Sequence, residues 1–304
     1  MKQILVIGSS VIDVILKVPF LPARGDDVNV LSAQYRLGGC AYNVYKALAL
    51  FESPARLCSP VGYGIFGRMV REYFHKEGLH PLTSLEYENG CCYCLIEPDG
   101  ERTFISHHGA EYLFSRSWMK NVNYSETDGM FLCGIDVEEP TGDEMVEYAY
   151  EHPELALYFS PGPRIMHIPQ KRLDRLLERR DAEGKGLFLH LNLKEALDFS
   201  AKDSCEEAAE ALAARTRNSV VITLGERGCY CLLGAGLKGS YVPGIPSQVV
   251  DTVGAGDAHC GAVIACIRAG KNLEDSCRTA NKIGAAVISK ESAVLDTLPA
   301  GFEV

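Results

Sequence analysis

The sequence lacks most of the features that advertise a partner. Among its 304 residues, no Lys/Arg run exceeds the short pairs within 171–180, and acids outnumber bases 40 to 30. A net charge of −10 repels a nucleic-acid backbone unless a basic patch offsets it, so nucleic acid is an unfit partner. The stretch KRLDRLLERR carries acids at helical spacing and reads as a solvated helix face. No apolar run reaches membrane-spanning length, and MKQILVIGSS has no leader-type cleavage pattern, which argues against a membrane or secretory role. Cysteines number 12, yet the one CxxC spacing, Cys91 to Cys94, has no second CxxC to make a zinc set and lies within an apolar run. They sit in apolar, strand-like runs, as Cys91, Cys92, Cys94, Cys229 and Cys231 do, which fits buried free thiols in a reducing cytoplasm. The first strand runs into GSSVID, which lacks the GxGxxG of a dinucleotide site. No internal repeat, low-complexity tract or linker divides the chain.

What is present is an α/β pattern. Residues 4–7 form a continuous apolar strand, as expected in a sheet covered on both faces. Further strands are expected at 55–61, 129–133, 155–159, 187–191, 219–224 and 229–233. Helices are expected at 41–51, 67–77, 142–151, 171–180, 204–214, 255–269 and 273–289. This alternation predicts a mainly parallel sheet between two helical layers. Two regions differ: 14–37 has short extended pieces, and 91–97 and 101–107 flank the turn Pro98-Asp99-Gly100. These predict a small accessory sheet, about 14–37 with 90–109, acting as a lid on one unit spanning 1–304.

Three clusters carry chemistry. Asp251-Thr252-Val253-Gly254-Ala255-Gly256-Asp257 precedes the helical run AHCGAVIACIRAG. Small residues at a helix start leave first-turn N–H groups open to an anion, and the helix dipole adds positive potential. Asp257 at the rim can take a proton from an attacking hydroxyl; alternatively it is a first-turn stabilising acid. Gly38-Gly39 opens a helix in which Asn43 follows, a backbone that a polyol can approach and an amide that can donate and accept. Asp13 stands just past the first strand, where open α/β sheets bind ligands; a loop-capping acid is the alternative.

The seven-residue string 251–257 resembles the C-terminal signature of the ribokinase-like (PfkB) carbohydrate kinases, and Gly38-Gly39 with Asn43 resembles their N-terminal one. The resemblance implies a ribokinase-like three-layer α/β/α fold with a small β-sheet lid. It implies ATP-dependent phosphorylation of a hydroxymethyl group on a small sugar, with Asp257 as base and Gly254, Ala255 and Gly256 forming the anion hole. Asp13, Gly38, Gly39 and Asn43 would hold the acceptor, with Arg164 of the segment SPGPR as a further candidate. Asn192, Thr223, Gly225, Gly228 and Asn281 fall on the nucleotide side, Asn281 reading equally as an exposed helix residue. Glu195 would hold Mg²⁺ through water. Asp251 and the Val253 carbonyl match a monovalent-cation (K⁺) site of many relatives, but the loop 289–293 has no glycine, which counts against potassium activation. Arg102 and His107 point either into the cleft or to solvent. A nucleoside kinase is the alternative function, with Tyr35, Tyr42 or Phe104 against the base; a non-catalytic sugar sensor is another, disfavoured by the intact Asp257. The exposed lid strands imply a homodimer joined through the lids.

Overall fold

The computed structural model describes residues 1–181, 183–299 and 302. Its first strand, β1 (Gln3–Ile7), leads directly into β2 (Val11–Lys17), which pairs with β3 (Ser32–Gly38) ahead of α1 (Cys40–Leu50). Next come β4 (Ala55–Cys58), β5 (Val61–Tyr63), α2 (Gly64–Lys76) and β6 (Ser84–Glu88), then the hairpin β7 (Cys91–Ile96) and β8 (Arg102–His107). The regular alternation follows: β9 (Thr127–Cys133), α3 (Gly134–Glu138), α4 (Gly142–Glu151), β10 (Ala156–Ser160), α5 (Gln170–Glu178), β11 (Phe188–Asn192), α6 (Leu193–Ser200) and α7 (Cys205–Thr216). The chain ends with β12 (Val220–Thr223), β13 (Cys229–Leu232), β14 (Ser240–Val242), α8 (Ala255–Arg268) and α9 (Leu273–Ile288).

Eight strands form the main sheet in the order β14-β13-β12-β11-β10-β9-β1-β4, parallel from β4 to β12 and antiparallel at β13 and β14. Alternation along each strand divides the core into two layers. Leu5, Ile7, Met130 and Leu132 pack with α4, α5 and α7; Ile4, Val6, Phe131 and Cys133 pack with α1, α2, α8 and α9. That is the three-layer α/β/α core read from the alternation. The four-stranded lid sheet runs β3-β2-β7-β8, with β2 and β7 parallel and the other two pairs antiparallel.

Two expectations are corrected. The 171–180 helix face is not wholly solvated: Arg172 and Arg179 are buried. Arg172 donates to the carbonyls of Val137, Glu138 and Glu139, and Arg179 to those of Ala149, His152 and Leu155. Helix ends leave carbonyls unpaired, and a long guanidinium reaches them from a neighbouring element. The second correction concerns Asp13, which is the third residue of lid strand β2 and not part of a loop closing β1.

Candidate active site

The carboxyl ends of the parallel strands share one edge of the sheet, and the lid rises from that edge. Helices α1 and α8 cross in the layer behind it. A Cβ on Gly261 of α8 would lie 2.6 Å from Ala47 Cβ and 2.9 Å from the Val44 carbonyl, so the glycine permits the close crossing. The crossing brings Asn43 to Asp257: Asn43 Nδ2 donates to Asp257 Oδ2 at 2.9 Å, across 214 residues of sequence. Asn43 Oδ1 is buried with no protein donor, an acceptor open to a hydroxyl.

Asp257 stands in the first turn of α8, whose N-cap Gly254 has φ 74°. A Cβ there would also meet the Ala293 carbonyl at 2.5 Å, so glycine is required twice over. Around Gly256 a Cβ would touch nothing within 4 Å, leaving the helix N-terminus open to a ligand. Burial pushes the Asp257 carboxyl up to about 6, with the Asn43 and Cys40 hydrogen bonds opposing it and the Glu195 charge adding a little. Asp13 rises to about 7 through burial and the charges of Asp257 and Asp251, with Arg36 opposing. The structure thus brings Asp13, Asn43, Asp251 and Asp257 into one electrostatic cluster.

Gly38 and Gly39 serve the protein's own packing. A Cβ on Gly38 would clash with the Asp13 carboxylate, and one on Gly39 would lie 2.7 Å from the Ser9 carbonyl. Gly39 also has φ 96° as N-cap of α1. Beside Asp13 lies a cavity of about 270 Å³ lined by Ile15, Arg36, Tyr42, Tyr73, Phe104, Asp251 and Val253 among others.

On the other side, Asn192 and Thr223 are register partners at the ends of β11 and β12. Asn192 and Glu195 form a capping box on α6: Asn192 Oδ1 accepts from the Glu195 amide at 2.8 Å, and Glu195 Oε2 accepts from the Asn192 amide at 3.0 Å. Gly225 and Gly228 shape the tight loop into β13. Gly228 has φ 92°, and a Cβ would sit 2.1 Å from the Val242 carbonyl.

Residues 1–300 match the family described as pfkB family carbohydrate kinase. The chain belongs to it. This pfkB protein is a carbohydrate kinase, an enzyme of sugar phosphorylation. It is similar to an uncharacterized sugar kinase, YegV, of Escherichia coli (strain K12), with 31% identity over 292 residues that cover 94% of this chain and 88% of that protein. The fold is similar to ribokinase from Giardia lamblia, TM-score 0.81 at 18% identity, covering 96% of each chain. It is also similar to a nucleoside kinase of Burkholderia thailandensis solved in complex with inosine, TM-score 0.76 at 19% identity, covering 96% of this chain and 91% of that one.

Not every residue singled out in this pfkB kinase reaches the cluster. Arg164 is exposed, and its Nε and Nη2 both donate to Glu138. Asn281 is buried, not exposed. Its Nδ2 donates to the carbonyls of Val242 and Pro243, and its Oδ1 faces His259 Nε2 at 3.0 Å, leaving no free amide for a nucleotide. Of the two lid residues, Arg102 does reach the cluster, pairing with Asp251, whereas His107 is exposed. Sequence reasoning passed over Asp136 of α3, buried just past β9, whose carboxylate faces the Ser9 amide and hydroxyl. Burial drives its carboxyl up to about 8. The signal that drew attention to Asp13, an acid shortly after an apolar strand, was present in CGID as well. The Cys40 thiol touches both Asp257 and Cys133, a contact that strand and helix spacing alone could not reveal.

For magnesium the residues fit. Glu195 is buried and its two oxygens already accept from Asn192, which suits a carboxylate that grips a hydrated ion through water. Among the described residues no three acid, His or Cys side chains converge to strip an ion of its water. For a free monovalent cation the residues do not fit, because the Asp251 carboxylate already carries a guanidinium partner.

Proposed function

We propose that this kinase transfers the γ-phosphoryl group of ATP to a hydroxymethyl group of a small sugar or sugar derivative. Asp257 takes the acceptor's proton on the oxygen that Asn43 leaves free. The amides of Gly254, Ala255 and Gly256 receive the charge that develops on the transferring group. Asp13, Gly38, Gly39 and Asn43 form the acceptor side, beneath the lid. Asn192, Thr223, Gly225 and Gly228 form the nucleotide side, and Glu195 orients the water shell of magnesium. When bound, magnesium neutralises charge on the phosphates. Ile15, Ile96 and Phe104 give the lid side of the cavity an apolar surface, which helps keep water from competing as acceptor.

The observation that carries this reading is the Asn43–Asp257 hydrogen bond, 2.9 Å, which joins the two motifs at one point. A general base fits there because its raised pKa lies close to working pH. The test is ADP release from Mg·ATP across pentoses, hexoses, sugar acids and nucleosides, for wild type and Asp257→Asn. Turnover with an acceptor, lost by about 10³-fold in the variant, is the expected result. Ligand-induced stabilisation without turnover for any acceptor would sink it in favour of a sugar sensor.

A nucleoside kinase is the second reading. It is favoured by Tyr42, Tyr73 and Phe104 lining the cavity beside Asp13, a setting in which a planar base can stack. The acceptor panel separates the two. We further propose one catalytic unit closed by the lid, cytoplasmic and dimeric. All 12 cysteines are free, which supports a reducing compartment, and no helix among the described residues is long and apolar enough to cross a membrane. Tyr35, Val14, Tyr93 and Ile105 form one cross-strand row of the lid; Tyr35, Tyr93 and Ile105 are exposed, which supports pairing of two lids.

A further inference from the structure

Asp251 opens the loop that leads to the proposed phosphate-binding amides. Its Oδ1 accepts from the Val253 amide at 2.8 Å and pairs with Arg102 Nη2 at 3.1 Å. Arg102 Nη1 donates to Thr252 Oγ1 at 2.8 Å, spanning 150 residues of sequence. The two charged side chains are only 13% and 8% exposed, so the pair is largely shielded from solvent. Arg102 belongs to lid strand β8. In the lid register Ser32, Lys17, Ile96 and Arg102 form one row, two residues along each strand from the row of Ile15, Cys94 and Phe104. Rows two apart face the same side of a sheet, so the guanidinium descends from the cavity face of the lid onto the loop.

In this arrangement the Asp251 carboxylate already has a charge partner, so it does not call for a dissociable cation. We infer that Arg102 takes the place of the monovalent cation, supplying a fixed positive charge that is present only while the lid lies over the loop. The inference rests on reading the Gly254–Gly256 amides as the phosphate site. A buried carboxylate without a partner would oppose an anion held a few residues away. A guanidinium cannot lose its proton, so the compensation does not depend on pH or on the salt present. A free ion would be available whatever the lid's position, whereas Arg102 ties phosphate binding to the lid. Its Nε is buried without a protein partner, leaving one donor for a ligand entering the cleft. Lys17 and Arg36 also reach from the lid to Glu291, at 3.2 and 3.7 Å, but Glu291 is half exposed and these pairs add little.

The test compares wild type, Arg102→Ala and Arg102→Lys in KCl and in choline chloride of equal ionic strength. Two quantities are read: the melting temperature without ligand, and the affinity for Mg²⁺ with the non-hydrolysable ATP analogue AMP-PNP. Wild type should be indifferent to the choice of salt. In choline, Arg102→Ala should melt lower and bind the analogue about tenfold more weakly, and KCl should restore both. Arg102→Lys should behave as wild type. Stabilisation of wild type by KCl over choline would overturn the inference, since a cation would then bind beside the arginine. So would an Ala variant that responds equally to both salts, the behaviour of a merely structural arginine. Failure of wild type to bind the analogue in either salt would count against the phosphate site itself, while the ligand-free melting comparison still decides the role of Arg102.

Discussion

At Asp257 the chain keeps a carboxylate in a place that disfavours its charge. Its carboxyl titrates at about 6 and that of Asp13 at about 7, both raised chiefly by burial. Turnover should therefore fall on the acid side as Asp257 takes up a proton, with a limb near pH 6 in a kcat/KM profile. The same shifts have a stability consequence of opposite sense. A carboxyl whose pKa is higher folded than unfolded stabilises the fold below its unfolded pKa, and that contribution is lost as pH rises through the folded value. Asp13→Asn should thus raise the melting temperature by about 2–4 °C at pH 8 and leave it unchanged near pH 3 while weakening acceptor binding. A lower melting temperature at pH 8 would show that Asp13 is held by partners other than its acidic neighbours. Asp257 and Asp13 were legible in the sequence because each sits in a short motif. Asp136 was passed over because its place beside Gly8 comes from strand order, which brings β9 next to β1.

At the scale of elements, two glycines set the geometry. Gly261→Ala places a methyl group against Ala47 and the Val44 carbonyl, and pushing α1 from α8 should cost about 1–3 kcal/mol in denaturant unfolding. Because the same crossing holds Asn43 on Asp257, kcat should fall with it; a variant that unfolds more easily yet keeps full kcat would separate the crossing from the chemistry. Gly228→Ala acts elsewhere, forcing a left-handed residue and a contact with the Val242 carbonyl. It should raise the KM for ATP more than that for the acceptor, in initial-rate measurements with each substrate varied. Most core strands and helices could be read from apolar alternation and helical period. The short α3, the α6 that follows its capping box, and β14 could not, since each is brief and takes its place from its neighbours. The buried Arg172 and Arg179 show the same limit: charge patterning describes a lone helix, not the carbonyls that another helix presents to it.

For the whole molecule, the question is how the lid is held and what it faces. Its inner face engages the loop through Arg102, while Tyr35, Tyr93 and Ile105 on another row are exposed to solvent. If lids pair across that row, sedimentation velocity at micromolar concentration should give a dimer, and Ile105→Glu should give a monomer. A monomeric wild type at all concentrations would dismiss the pairing.

The sequence by itself determined the layered α/β architecture, the existence of a lid sheet and the family, because strand alternation, helical period and two contiguous motifs are local properties. It also pointed to Asp13, Asn43 and Asp257 as candidates. Tertiary structure alone decided which side chains meet. It joined Asn43 to Asp257 through a helix crossing, spent the amide of Asn281 inside the core, turned Arg164 onto Glu138, and set Arg102 on Asp251. Such contacts span a hundred residues or more in two of these cases, and packing between layers, which no local pattern encodes, chooses them.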